Sequence, residues 1–548
     1  MSRETDARRG DAPRFSLAQL PDLLAALVLI GVAVVAALTF EDYGLGWDDY
    51  THAQYGDLLL KLYASGFTDR RAFGFVNLYM YGGGFDMLAA LAAKILPFDL
   101  FATRRLVGAA VGLVGLAATW RIGRRIGGPT CGLIALVLLA TCPLYYGHMF
   151  MNPKDAPFAA AMALLLLALV RAIEDYPRPT PATVALFAIG LGLTIGSRII
   201  GGMAAIYAAA AVALIVAVEV RALGVRAAGA RAGRFIVALL PGLVIAYAVM
   251  ALVWPWAVVD PLNPIRSLEY FSVFFEKPWK EMFGGQLIPV PEMPRSYVPT
   301  LFALKTPEVF LLLAGAGIVG AVIAAARPDT PLRRRATLVL LAVAAVLPIA
   351  IAVATRPAAY NGIRHFIFVT PPLAALGGLA GAWLLEWLSR YGRGAVAAAA
   401  TVLAAAVAVP VIESVRLHPY QYTYFNAIAG GVAAADERYM LDYWGLSFKE
   451  AGEALRARLA QEPARRSRRW TVAVCGPHPP ARIALGDDFV LTWDSKGADF
   501  ALMLGEFYCA QLDAPVLVEI EREGVVYARA YDIRGRSISS LFTIPPVR

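Results

Sequence analysis

Charge is what this sequence has least of. Only 17% of its 548 residues are Asp, Glu, Lys or Arg, while 59% are hydrophobic. A soluble globular domain carries about 25% charged residues. The deficit is concentrated in long apolar stretches such as Leu23–Phe40 and Phe366–Leu385, each near the ~20 residues that cross a bilayer as a helix. In hydrocarbon the backbone must satisfy its own hydrogen bonds, so these stretches are expected to be helices. Abundant alanine and glycine suit close packing between them. Cysteine is scarce as well. Of the four, Cys131 and Cys142 fall in one expected membrane helix, and Cys475 and Cys509 fall near the C-terminus. Their spacing is not that of a metal site; Cys475 and Cys509 can pair if their segment faces an oxidising compartment. The histidines at 52, 148, 365, 418 and 478 are too scattered for a zinc site. No phosphate-cradling P-loop and no dinucleotide fingerprint follows a strand, which argues against a soluble nucleotide-linked substrate. No internal repeat and no low-complexity linker is present. No small-residue cleavage site follows the first apolar run, so Leu23–Phe40 reads as a retained signal anchor.

The net charge of +9 has two readings. Nucleic-acid binding would need basic runs interleaved with stacking aromatics, and there are none. Most arginines instead fall between apolar segments, where they hold loops on the cytoplasmic side. Eleven spans are expected, at 22–40, 104–120, 131–147, 156–173, 182–197, 199–219, 235–253, 308–326, 336–354, 366–388 and 395–412. With the N-terminus inside, the inner connections carry nineteen arginines, Arg124, Arg125, Arg333 and Arg334 among them. The short outer ones carry four basic residues: Lys154, Arg198, Arg356 and Arg364. This asymmetry requires that 79–97 not cross. Its three glycines, Gly82–Gly84, and its acid Asp86 suit a segment lying along or dipping into the outer face.

The expected architecture is a polytopic α-helical membrane protein with a small C-terminal extracytoplasmic α/β domain. Residues 1–21 form a cytoplasmic tail. Residues 22–412 form the membrane module, with extracytoplasmic loops at 41–103, 148–155, 254–307 and 355–365. Residues 413–548 form the C-terminal domain, where β-like runs such as Trp470–Val474, Phe489–Trp493 and Val516–Ile520 alternate with turn signals.

The candidate chemistry lies in the outer loops. The first opens with the adjacent acids Asp48 and Asp49. Such a pair repels unless a metal, a cation or a shared proton compensates. One member could take a proton from an attacking hydroxyl; equally, the pair could cap the amphipathic run that follows. The second loop crowds His148, Asn152, Lys154 and Asp155 into one turn. Capping accounts for Asp155 alone, with Pro157 in the first turn, but not for the crowding. Asp48, Asp49 and Asp155 meeting across a cleft would hold a divalent cation, Mg or Mn, through oxygen ligands. Arg198 and Arg364, the latter next to His365, could grip phosphate or snorkel to lipid head groups. The long loop from Trp254 to Lys305 carries an aromatic and charged run, Tyr270–Lys280, assigned to acceptor or lipid contact.

Several of these motifs resemble one family. WDDYTHAQYGDLLLKLYASG (47–66) is similar to the first outer loop of the family that includes the protein O-mannosyltransferases and the lipid A aminoarabinose transferase. RRIGG (124–128) and NPKDAPFA (152–159) resemble its second acidic motif. NGIRHFIFVTPPLAAL (361–376) is similar to its Arg-Tyr helix start, and HPYQYTYFNAIAGG (418–431) to a segment of bacterial relatives. Asp49 stands where Glu is usual and His365 where Tyr is usual. The resemblance implies the C-type glycosyltransferase fold (GT-C, family 39-like). It also implies a polyprenyl-phosphate-linked sugar donor and inversion at the anomeric carbon. The acceptor would be a hydroxyl on a lipid, glycan or protein, outside the plasma (inner) membrane. In that pattern Asp48 is the base, with Asp49 and Asp155 holding acceptor or metal. Lys154, Arg198, Arg364, His365, His148 and Asn152 would bind substrate. A transporter or flippase of a lipid-linked sugar is the alternative; it predicts inverted repeats and matching broken helices, which the sequence lacks.

Overall fold

The computed structural model describes residues 19–272, 279–460, 469–493, 497–536 and 542–544. Most of the N-terminal tail, and residues 273–278 of the Tyr270–Lys280 run, lie outside the described residues.

Nine helices among the described residues are long and apolar enough to cross a membrane, against the eleven expected. The difference has a physical source. Two expected spans, 104–120 and 131–147, share the stretch Leu100–Ala140, in which two helices join across a kink. Its helical geometry breaks once, at Gly128 (φ 81°), followed by Pro129. A left-handed glycine and a proline without an N–H kink a helix at that point. The second expected span is divided in two. The chain stops at Ala140 and restarts as a nine-residue helix, Pro143–Met151. The expected span at 182–197 is the apolar 17-residue helix Pro181–Ser197, shorter than the other nine.

The segment 79–97 opens on a short 3-10 turn, Leu78–Met80, and continues with one α-helix, Gly84–Ala92. Nine residues rise about 14 Å, too little to cross. The segment is held by the loop after the Val225–Val253 helix. Trp254 Nε1 donates to Tyr79 O (2.9 Å), Ser267 Oγ to Met80 O (2.8 Å), and Gly83 N to Val253 O (3.0 Å).

Helices Asp155–Glu174 and Thr370–Ser389 lie at the centre of the bundle. Ala159, Ala163, Leu166 and Ala168 of the first are buried, as are Ala374, Ala375, Gly377 and Gly378 of the second. Small side chains permit the close helix approach that drives packing in lipid. At one end of the bundle, Arg124 forms a two-point pair with Asp22 (2.8 and 2.8 Å). There too Arg125 pairs with Glu174, and Arg333 donates to Glu174 O (2.7 Å). Asp22 starts the Leu20–Thr39 helix and Asp48 lies beyond its end, so the arginine-rich end and the acidic loops lie at opposite ends of that helix.

After the last long helix, Arg393–Arg416, the chain builds a five-stranded sheet. Its order is Phe489–Thr492, Trp470–Cys475, Phe500–Leu504, Val525–Asp532 and Val516–Arg522. The first three strands are parallel and the last two pairings antiparallel. Phe500–Leu504 is buried along its whole length, as a central strand covered on both faces should be. Cys475 and Cys509 form a disulfide.

Candidate functional site

The site is built on the turn Asn152–Asp155, between the short Pro143–Met151 helix and the long helix that follows. Asn152 Oδ1 accepts from the backbone N–H groups of Lys154 (3.0 Å) and Asp155 (2.8 Å). This side-chain turn is a local alternative to helix that Asn favours. Asn152 Nδ2 donates to Asp155 Oδ2 (2.9 Å). The turn therefore sends neighbouring side chains in opposite directions. Asp155 points inward, where Arg198 Nη2 (2.5 Å) and Arg364 Nη1 (2.9 Å) grip its two oxygens. Lys154 reaches out to Asp48 Oδ2 (2.9 Å).

Three cations and two carboxylates thus meet, drawn from four separate stretches of sequence. Aromatic faces line the cluster. Lys154 Nζ and the Arg198 guanidinium each lie 5.4 Å from the Tyr81 ring. Arg364 lies between Tyr360 (5.0 Å) and Trp444 (5.1 Å). His148 is fully buried; Asn152 Nδ2 and Tyr443 Oη approach its two ring nitrogens at 3.4 Å each. Burial, reinforced by the Arg364 and Lys305 charges, lowers its pKa to about 3. It is neutral at physiological pH and orients Asn152. His365 packs its ring on Tyr360 (5.1 Å).

Asp48 occupies the N-cap position of helix Asp49–Ala64, yet its side chain caps nothing. The capping account of this acid therefore fails. Burial opposes its ionisation, but Lys154, Arg364 and His52 outweigh that and bring its pKa down to about 2. Its side chain is 28% exposed, against 2% for Asp155 and 4% for Asp49. It is the most accessible acid of the three.

Asp49 has a different setting. It turns away from Lys154 and pairs with Arg104 (3.3 Å) and Arg105 (3.9 Å). Arg104 also binds Asp86 (2.7 Å), and Asp86 accepts from or pairs with His52 Nδ1 (2.7 Å). This buried network corrects the sequence reading of Asp49 as a partner of Asp48 and Asp155 in one cleft. Among the described residues no group of three or more His, Cys, Asp and Glu side chains could hold a metal. Asp48, Asp49 and Asp155 each already face a separate cation, so this donor set does not fit a shared Mg or Mn ion.

Sequence reading missed Arg104, Arg105, His52, Tyr81, Tyr443 and Trp444. Arg104 and Arg105 had a usable signal: two charges at the mouth of an apolar span require partners. Trp444 had none, since nothing in the chain between 365 and 444 indicates which loop returns to the site.

Residues 84–256 match the family described as dolichyl-phosphate-mannose-protein mannosyltransferase. That stretch carries Asp86, Arg104, Asn152, Lys154, Asp155 and Arg198. The chain is similar to apo ArnT from Cupriavidus metallidurans, at 16% identity over 94% of this chain and 98% of that one, with a TM-score of 0.51. The same protein bound to undecaprenyl phosphate gives 14% identity, coverage of 94% and 98%, and a TM-score of 0.48. The apo oligosaccharyltransferase of Archaeoglobus fulgidus gives 13% identity over 82% of this chain and 62% of that one, with a TM-score of 0.48. No curated protein matches by sequence. The chain is an integral multi-pass membrane protein with the fold of the C-type membrane glycosyltransferases.

Proposed function

We propose that this protein transfers a sugar, a hexosyl or pentosyl unit, from a polyprenyl-phosphate-linked donor to a hydroxyl of a lipid, glycan or protein acceptor, with inversion. The carrying observation is the cluster of Lys154, Arg198 and Arg364 around Asp155, with Asp48 half-buried beside it. Three cations against two carboxylates leave one net positive charge, which matches the single negative charge of a sugar phosphodiester. As the glycosidic bond breaks, the phosphate gains a second charge. Preorganised cations at the place where charge develops are the usual main source of rate in such sites. The match of residues 84–256 to the family described as dolichyl-phosphate-mannose-protein mannosyltransferase agrees with this donor class.

Asp48 acts as the general base. It removes the proton of the acceptor hydroxyl as that oxygen attacks the anomeric carbon from the side opposite the phosphate. Its pKa of about 2 is low for a base and reflects its pairing with Lys154. When the donor phosphate draws Lys154 away, Asp48 loses its stabilising partner and gains basicity. No metal step enters this scheme, because each carboxylate has its own cation.

The arginine-rich end is assigned to the cytoplasm. That sets the site and the C-terminal domain outside the plasma membrane, where a disulfide persists. The transporter alternative has no support in the fold or in the similar structures.

The test is binding of undecaprenyl phosphate to the full chain in nanodiscs, together with sugar transfer in liposomes. Arg364→Ala removes a charge-assisted hydrogen-bonding group worth roughly 1.5–3 kcal/mol. Affinity should fall by roughly ten- to a hundredfold. Unchanged affinity would reject the phosphate assignment.

A further inference from the structure

We propose that the C-terminal segment completes the donor-phosphate site, with Trp444 as the positioning residue that fixes Arg364. The inference rests on the phosphate-binding role of Arg364 proposed for the donor.

Arg364 is 2% exposed. One terminal nitrogen is committed to Asp155 (2.9 Å), and its buried Nε has no hydrogen-bond partner among the described residues. Hydrogen bonds therefore fix the guanidinium at one edge. It also lies over two rings: Tyr360, four residues earlier in the chain, and Trp444, eighty residues later. A guanidinium over an indole face is attracted by the ring quadrupole, most strongly when both are out of water. Trp444 is itself 2% exposed, so both groups meet that condition.

The loop that carries Trp444 is built to hold it there. The Asp442 carboxylate accepts from Leu446 N (2.9 Å), Ser447 N (3.0 Å) and Ser447 Oγ (2.5 Å), and from Tyr422 Oη. Glu506, just past the buried strand Phe500–Leu504, accepts from Leu441 N (3.0 Å). That bond ties the loop to the C-terminal sheet. On the membrane side the loop meets the Asp48 loop at Gly46, where an added Cβ would lie 2.9 Å from the Trp444 ring. Tyr443, next in line, approaches His148 (3.4 Å), which orients Asn152. The C-terminal sheet, the Asp442 loop, Trp444, Arg364 and Asp155 thus form one continuous set of contacts. Its function is to present the guanidinium in a fixed plane to a phosphate.

The experiment measures affinity of the full chain in nanodiscs for undecaprenyl phosphate. Trp444→Leu keeps an apolar side chain and removes the ring face; affinity should fall roughly ten- to thirtyfold. Trp444→Phe keeps a ring and should stay within about fivefold of the parent. The Phe effect should vanish on an Arg364→Ala background, because the ring acts through that arginine. This last comparison carries the test if Trp444→Leu does not fold. Equal losses in the Leu and Phe variants, or a Phe effect that persists without Arg364, would overturn the inference. So would parental affinity in Trp444→Leu while Arg364→Ala binds weakly. Parental affinity in Arg364→Ala itself would instead reject the phosphate assignment on which this inference rests.

Discussion

Asp48 and Asp49 are neighbours in sequence and belong to two different ionic regions. Asp48 joins an open cluster, where Lys154, Arg198 and Arg364 outnumber the acids and one carboxylate stays within reach of solvent. Asp49 joins a closed one, where Arg104 is shared with Asp86 and every side chain is nearly fully buried. Successive residues at a helix start point about 100° apart, so one peptide unit can serve both regions. Excess positive charge with access marks a place where a ligand anion completes the balance. Balanced, sealed charge marks a strut. Buried ion pairs of the second kind contribute little net stability but destabilise strongly when one partner is removed.

The two amide substitutions separate these regions most decisively. Asp48→Asn keeps size and cannot accept a proton, so transfer in liposomes should fall by about 10²–10⁴, with the unfolding midpoint unchanged. Asp49→Asn should lose roughly 1.5–3 kcal/mol of stability from the Arg104 contact and retain most of its turnover at low temperature. A dead, fully stable Asp49→Asn protein would reverse the two roles.

Much of the open region was legible in the sequence because its residues sit in short loops that the charge bias assigns to the outside. Lys154, Arg198 and Arg364 stand out for that reason, and Asn152 stands out by crowding with Asp155. The same logic identified 79–97 as a segment that does not cross. The closed region was not legible. Which acid of an adjacent pair turns toward which arginine depends on helix phase at one residue, and sequence spacing does not determine that. At Gly128–Pro129 two of the expected spans meet across a kink, a junction that apolar windows alone do not locate. Trp444 was hidden by distance along the chain.

A second pair of loops sharpens the comparison through pH. Glu281, on the hairpin Lys280–Phe283 with Gln286–Pro289, is buried and accepts from Tyr297 Oη (2.5 Å) and Asn361 N (2.6 Å). It thereby holds the turn that precedes Arg364. Burial raises its pKa to about 7, although Tyr297, the Asn361 and Gly362 N–H groups and Arg364 pull it down. The folded value lies above the unfolded one, so its stability contribution is complete below about pH 4.5 and is lost as pH rises through 7. The loss amounts to roughly 3 kcal/mol. Nearby Lys305, lowered to about 7 by burial, changes in the opposite direction between about pH 7 and 10 and leaves the acid window clear. Denaturant unfolding in detergent from pH 5 to 8 should therefore show a shallower decline in Glu281→Gln than in the parent. Parallel declines would mean that Glu281 stays ionised in the folded protein throughout.

The smallest expected effect bears on what fills the open cluster. A divalent cation between Asp48 and Asp155 would have to displace Lys154 from one and share the other with two guanidinium groups at 2.5 and 2.9 Å. Hard cations of this class need several oxygen ligands, and neighbouring positive charge repels them. The three basic side chains already supply the charge that a metal would offer to a departing phosphate. Chelation with EDTA should therefore leave turnover with a polyprenyl-phosphate sugar within about twofold of the untreated enzyme, while Lys154→Ala slows it. If chelation abolishes activity and added Mg or Mn restores it, the ion occupies the place assigned to Lys154. Lys154→Ala should then bind the metal more tightly than the parent, an outcome that would turn the open region from an anion site into a cation site.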